Sequence, residues 1–187
     1  MIQLIRERLS LYAPRTVDAD GRPRAGVLLP LYDLGGELHV VLTKRTDRVE
    51  HHKGEISFPG GSQDPEDVDL AATALREGEE EIGLRREHVE IIGRVDDIVT
   101  VSQFHVSAYV GVLAPTASPY AWRPHAEEVA AVLEVPLTHL QDPASLVRQT
   151  IERNGAILER EGFRYHDHLI WGATARILHN FLDVVGA

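Results

Sequence analysis

The chain has 187 residues, 43% hydrophobic and 26% charged, with a formal net charge of −10 and no cysteine. That length suits one domain with a sizeable core and leaves two full domains cramped, and the missing cysteines exclude disulfides, thiolate zinc sites and a cysteine nucleophile. The negative surface argues against nucleic acid as a partner, and it repels a small anionic substrate equally unless bound cations reverse the local sign.

In chain order, "MIQLIRERLSLYAP" mixes apolar and charged residues as a short amphipathic helix over residues 2–12, without a signal peptide's apolar core. No apolar run approaches the ~18 residues of a membrane span. The expectation is therefore a cytoplasmic protein that makes no use of a membrane. "AGVLLPLY" (25–32) and "LHVVLTKR" (38–45) read as strands joined by the turn "DLGGE". Pro30 predicts an edge or a bulge for the first of them. "GEISFPGG" alternates and then breaks at Pro59-Gly60-Gly61. A helix is predicted from about Val68 to Ile82, and strands follow over residues 89–95 and 105–113. "EEVAAVLEVPL" turns apolar around Val129–Val135, and Asn154-Gly155 carries a hairpin-turn signal. His166 and His168 fall on one face of a strand. "ATARILHNFLDVV" closes the chain as an amphipathic helix, with Trp171 just before it read as core. The pattern is a mixed sheet with a few helices in one α/β or α+β domain spanning residues 1–187.

The predicted helix ends in an unusual way. Four glutamates lie within the five residues from Glu77 to Glu81. At about 100° per residue, Leu70, Ala71, Ala74, Leu75, Gly78 and Ile82 form a core-facing stripe, with Glu77, Glu80 and Glu81 sharing a sector beside it. Glu79 falls on the opposite side of the stripe. Gly83 is a natural C-terminal stop, so the acids occupy the end where the helix dipole is negative and each is disfavoured by roughly 0.3–1 kcal/mol. Gly78 adds about 1 kcal/mol of propensity cost relative to alanine, an indication that another backbone packs closely there. A solvated acidic face is the commoner meaning of such a run. Against it, three carboxylates at i, i+3 and i+4 suit Mg²⁺ or Mn²⁺, which take oxygen ligands, better than zinc, for which no histidine or cysteine joins the cluster. Arg76 stands one turn before Glu80 and is placed to pair with it.

"GGSQDPEDVDLAATALREGEEEIGL" resembles the Nudix box, a glycine-led loop–helix–loop ending in R-E-x-x-E-E-x-G, here Arg76, Glu77, Glu80, Glu81 and Gly83. The box spans residues 61–84, and residues 1–20 precede it as an N-terminal helical extension. Asp67 stands where the family has a glutamate, one extra residue separates it from Arg76, and Gly78 fills a usually hydrophobic slot. "VLTKRTDRVEHHKGEISFPGG" (41–61) is similar to the segment before the box in the coenzyme A pyrophosphatase branch, through Leu42, Thr43, Arg45, His52, Gly54, Phe58, Pro59, Gly60 and Gly61. Glu50 and Glu55 depart from that pattern and add negative charge. "DDIVTVSQFHV" (96–106) and "IWGATARILHNFL" (170–182) also resemble that branch.

The resemblance implies a Nudix-type α/β/α sandwich. It implies hydrolysis of a nucleoside diphosphate linked to another group, with coenzyme A or a derivative as substrate and 3′,5′-ADP and 4′-phosphopantetheine as products. It also implies Mg²⁺ or Mn²⁺ as cofactor, as two or more ions, held by Glu77, Glu80, Glu81 and the Gly61 carbonyl, with Arg76 orienting Glu80. Candidates for the general base are Glu127 and Glu128, with Asp96 and Asp97 weighed against a capping role. Arg45, His52 and Lys53 are candidate phosphate contacts, and Phe104 and His105 candidate pocket residues. ADP-ribose, NADH and dinucleoside polyphosphates are alternative substrates, and a non-catalytic nucleotide sensor is an alternative role. Nothing in the sequence separates a monomer from a homodimer.

Overall fold

Along one strand, Leu28 and Leu29 are both fully buried yet belong to different clusters on opposite faces of a sheet. The neighbouring strand repeats this, with Val40 and Leu42 on one face and Val41 on the other. This period of two, apolar on both faces, is the signature of strands covered on each side. The computed structural model describes residues 1–48, 53–153 and 156–186. In order, its elements are α1 (Ile2–Leu11), β1 (Arg24–Leu34), β2 (Glu37–Arg45), β3 (Ile56–Ser57), β4 (Gly60–Ser62), α2 (Leu70–Ile82), β5 (Val89–Arg94), β6 (Ile98–Val99), β7 (His105–Leu113), β8 (Val129–Pro136), α3 (Leu137–Gln141), β9 (Leu146–Arg153), β10 (Ala156–Tyr165), β11 (His168–Ile170) and α4 (Gly172–Val185). Strands β1 to β8 form one mixed sheet, and β11-β10-β9 form a second, antiparallel one. Helix α2 packs with Leu28, Tyr32 and Val41 on one face of the mixed sheet; α1 and α4 cover the other.

Strand β1 is central, which corrects the edge or bulge expected from Pro30. It pairs in parallel with β7 from Arg24↔His105 to Leu31↔Val112. On its other side it pairs with β4 at Ala25–Val27 and with β2 only from Leu31 onward. The Leu28 amide donates to Pro59 O on that second side. Backbone amides alternate sides along a strand, so the Pro30 nitrogen faces the same way, into the gap where β4 ends and β2 has not begun. A missing donor there breaks no ladder bond.

The same gap admits the segment that starts the site. On the N-terminal side of Leu31, β1 parts from β2, and β3-Pro59-β4 wedges between them. β3 pairs with β2 at Thr43↔Ser57, and β4 pairs with β1 at Gly26↔Gly61. Helix α2 then lies across β1. A Cβ on Gly26 would stand 2.1 Å from the Leu70 carbonyl oxygen, so only glycine permits this approach. The close backbone contact expected at Gly78 is thus found at Gly26 instead. A Cβ on Gly78 would meet only side-chain carbons, the nearest Leu84 Cδ2 at 3.5 Å.

Helix α2 starts two residues later than its pattern predicts. Asp69 is the N-cap, its side chain accepting from the Ala72 amide, and Val68 is exposed. At the other end Gly83 adopts a left-handed φ of +68°, with Gly83 N donating to Glu79 O and Leu84 N to Gly78 O, and Leu84 is buried behind it. In the second sheet, Phe163 of β10 is buried in the α4-side cluster. His166 lies in the β10–β11 turn with φ +49° and only His168 is in a strand, which corrects their shared strand face. Trp171 is the half-buried N-cap of α4 rather than core. Asn154 and Gly155 lie outside the described residues. Among the described residues no helix is long and apolar enough to cross a membrane.

Candidate active site

The acidic end of α2 faces inward. Thr73, Ala74, Gly78, Glu81 and Ile82 are all buried, so the buried stripe runs through the acidic sector rather than beside it, and Glu81 is only 4% exposed. Its Oε2 accepts from the Gly60 amide at 3.3 Å, and its Oε1 stands 3.7 Å from Arg45 Nη1. Burial pushes the Glu81 carboxyl up to about 8, the Glu77 charge adds to this, and the Gly60 amide and Arg45 offset only part. Burial also raises Glu77, with Arg76 pulling the other way. A Cβ on Gly61 would stand 2.4 Å from Glu77 Oε1, so the glycine backbone lies directly against that carboxylate.

Arg76 does more than pair with Glu80. Its Nη1 donates to Glu77 Oε1 at 2.9 Å and to Glu80 Oε2 at 3.1 Å, while its Nη2 donates to Ser62 O and to Asp67 Oδ2, both at 3.0 Å. Asp67 is held from four directions, by Arg76 Nη2 and Nε, the Thr73 hydroxyl and the Asp64 amide, and the Arg76 guanidinium holds its carboxyl down at about 2. Asp67 therefore braces the loop before α2 against Arg76. Glu79 turns away to Arg86.

Across the end of α2 lies the 114–128 loop. Arg123 N donates to Ile82 O and His125 N to Glu81 O. Glu127 is exposed, and its Oε1 pairs with Arg48 at 3.0 Å. Glu128 is near enough to Glu77 and Glu81 for its charge to raise both. Two adjacent glutamates that sequence could not rank are thus separated: the Glu128 charge is felt at the Glu77 and Glu81 carboxyls while its Oε1 stands 3.6 Å from His125 Nδ1, and Glu127 pairs with Arg48.

The remaining candidates fall in different places. Lys53 is exposed in the turn before Gly54, and His52 lies outside the described residues, as does Glu50. Phe104 is half-buried against the α4-side core. His105 is buried, with Nε2 3.0 Å from Asp97 Oδ2. Asp96 and Asp97 are not turn caps. Asp97 also accepts from Ser107 Oγ and Arg94, and Asp96 accepts from Tyr12 Oη and from the backbone and side chain of Arg15. These bonds tie the segment after α1 to the sheet. The one sequence signal for them is the placement of two acids between Val95 and Ile98, both buried.

Comparison with known proteins decides the family. The NUDIX domain family matches residues 22–153. The chain belongs to the Nudix hydrolase family. It is 33% identical over 180 residues, 96% of this chain and 94% of that protein, to an uncharacterized Nudix hydrolase NudL of Photorhabdus laumondii. It is 35% identical over 157 residues to the peroxisomal coenzyme A diphosphatase NUDT7 of Mus musculus, covering 81% of this chain and 65% of that protein. Among solved structures, a MutT/nudix family protein from Enterococcus faecalis aligns with all of this chain and 70% of its own at a TM-score of 0.56 and 14% identity, a likeness of fold. This Nudix hydrolase is therefore a pyrophosphohydrolase of the family whose members use divalent metals such as Mg²⁺ or Mn²⁺.

The residues present fit such ions. The donors are all hard oxygens: two desolvated carboxylates, the Gly61 backbone against one of them, and Glu80 close by. As they stand, no three acidic or histidine side chains among the described residues enclose an ion. Glu80, with a side chain 60% exposed, is the one turned aside, to Arg76.

Proposed function

We propose that this Nudix hydrolase cleaves the diphosphate of coenzyme A or a derivative, giving 3′,5′-ADP and 4′-phosphopantetheine. The observation that carries the site assignment is the half-buried Glu77 beside the buried Glu81, whose charges Arg76, Arg45 and the Gly60 amide offset in part. Glu77, Glu80, Glu81 and the Gly61 carbonyl would hold Mg²⁺ or Mn²⁺. Bound there, divalent ions neutralise the diphosphate, polarise its phosphoryl oxygens and lower the pKa of a bound water.

The chain's own groups supply the rest. Arg76 keeps Glu77 and Glu80 apart and aligned before an ion arrives. Arg45, beside Glu81, is placed to grip a phosphate oxygen as a charge-assisted donor. Glu128 is the general base, a carboxylate oxygen accepting the proton of the attacking water as the bond to one phosphorus forms and the bridging P–O bond breaks, the other phosphate leaving with the electron pair. For the substrate, support comes from the branch-like segment over residues 41–61 and from the similarity to the mouse coenzyme A diphosphatase. His52 and Lys53 belong to the same segment as candidate phosphate contacts.

Incubation with coenzyme A and Mn²⁺, with chromatographic detection of 3′,5′-ADP, tests this directly. A panel that includes ADP-ribose, NADH and diadenosine polyphosphates ranks kcat/KM across the alternatives. Release of 3′,5′-ADP with the highest kcat/KM for coenzyme A is the expected result; turnover confined to another member of the panel would reassign the substrate.

A further inference from the structure

We infer that Thr46 is a positioning residue for the reaction, holding the turn that carries Glu128 over the α2 carboxylates. This rests on the role proposed for Glu128. Three backbone segments meet here. Thr46 Oγ1 donates to Glu127 O at 2.6 Å, and Thr46 N donates to Glu128 O at 2.8 Å. The same hydroxyl oxygen accepts from Arg48 N at 3.3 Å. On its far side the turn is fixed to α2 by His125 N to Glu81 O at 2.8 Å. Glu128 is thus strung between the end of β2 and the last turn of α2. The Thr46 hydroxyl is the side-chain bond in this chain of backbone links, and Thr46 is itself buried.

The sheet register shows why such a tie is needed. β2 and β8 pair regularly up to Lys44↔Ala131, then Arg45 pairs with Val129, leaving Ala130 as an extra residue on β8. Bulges bend a strand and re-aim neighbouring side chains. This one sits between Arg45, which reaches Glu81, and Glu128, whose turn is bonded to the Glu81 carbonyl through the His125 amide. Past the Arg45–Val129 pair the ladder ends, and Thr46 supplies the next two bonds. Because Thr46 immediately follows Arg45, one tie sets the phosphate-gripping guanidinium and the base relative to each other.

The test is a set of variants assayed with the best substrate of the panel and saturating Mg²⁺. Thr46→Val removes the hydroxyl at nearly constant shape, and loss of one hydrogen bond that orients a reacting group predicts a fall in kcat of about five- to tenfold. KM stays within about twofold, since the bond touches no substrate. Thr46→Ser recovers most of the loss. In a Glu128→Gln background, Thr46→Val produces no further fall, because its effect passes through the missing carboxylate. Thr46→Ala, read against its melting temperature, serves if valine does not fold. Wild-type kcat in a folded Thr46→Val or Thr46→Ala, a loss carried by KM, or full additivity with Glu128→Gln overturns the inference. Glu128→Gln alone tests the underlying role: a severe loss in that variant beside an unaffected Thr46→Val sinks the inference and leaves the base in place.

Discussion

Arg45 Nη1 and Glu81 Oε1 stand 3.7 Å apart, close enough for attraction and too far for a hydrogen bond. The Arg45 Nε is buried with no hydrogen-bond partner among the described residues. Neither group is satisfied by the other, and the pair stands where a cation beside the glutamate and a phosphate beside the arginine are proposed to bind. Much of the behaviour of the metal-free enzyme follows from this half-made contact.

Glu81 makes stability depend on pH in an uncommon direction. Its folded carboxyl titrates at about 8 against an ordinary value of 4.5, so the folded state binds the proton more tightly than the unfolded chain does. The contribution is complete below about pH 4.5 and is lost as pH rises through about 8, amounting to roughly 3–5 kcal/mol. In EDTA, the melting temperature should fall between pH 5 and 8.5, and Glu81→Gln should flatten that slope. Mg²⁺ should raise the melting temperature more at pH 8 than at pH 6. A metal-free profile as flat in the wild type as in Glu81→Gln would contradict the buried-acid geometry.

Glu80 separates catalysis from folding. Its side chain is 60% exposed and bonded to Arg76 at 3.1 Å, a contact of the kind that contributes well under 1 kcal/mol. Glu80→Gln should therefore melt within a degree or two of the wild type while losing activity by about 100-fold or more, provided that its carboxylate joins the ion. Full turnover in this variant removes Glu80 from the ligand set.

Two glycines predict opposite outcomes for the same substitution. At Gly26 a methyl group meets the Leu70 carbonyl oxygen at 2.1 Å, so Gly26→Ala must push α2 off β1, and a loss of several kcal/mol or no folded protein is expected. At Gly78 the nearest neighbours are side-chain carbons at 3.5 and 3.6 Å, an ordinary packing distance. Gly78→Ala should stabilise the helix by about 0.5–1 kcal/mol. Denaturant melts of the two variants decide both.

What could be read from the sequence was what repeats locally. The 3.6-residue period and Gly83 located α2 to within two residues, and runs of apolar, β-forming residues located β1, β2 and β7. Local pattern also exposed the anomaly of acids at a helix C-terminus. It could not reveal pairings between distant segments. The wedge of β3-Pro59-β4 between β1 and β2 explains Pro30 and places Gly60 against Glu81, yet each segment alone reads as an ordinary turn or strand. Asp97 is buried because His105, Ser107 and Arg94 surround it, and Glu128 is distinguished from Glu127 only by a turn that sends Glu127 to Arg48 and Glu128 to His125. Helix geometry put Glu81 beside the core; packing of the Pro59–Gly60 backbone against it put Glu81 inside.

Arg76 is where sequence and structure differ most in what they imply. Spacing predicts a single i, i+4 pair with Glu80, whereas the guanidinium joins Asp67, Glu77, Glu80 and the Ser62 carbonyl at once. Only a planar group with five donors in a fixed fork can do this, and a lysine ammonium at the end of a thinner stem cannot reach all four. Arg76→Lys should keep the charge but release some of these partners. With Asp67 no longer braced, the loop from Ser62 to Asp69 loosens. With Glu77 and Glu80 less well separated, ions bind a site that must first be ordered. The expected result is a several-fold higher Mg²⁺ concentration for half-maximal activity, a kcat lowered by about tenfold or more, and a melting temperature several degrees lower. A Mg²⁺ titration of activity beside a thermal melt measures all three. If charge alone mattered at this position, lysine would preserve the Mg²⁺ requirement and the melting temperature together.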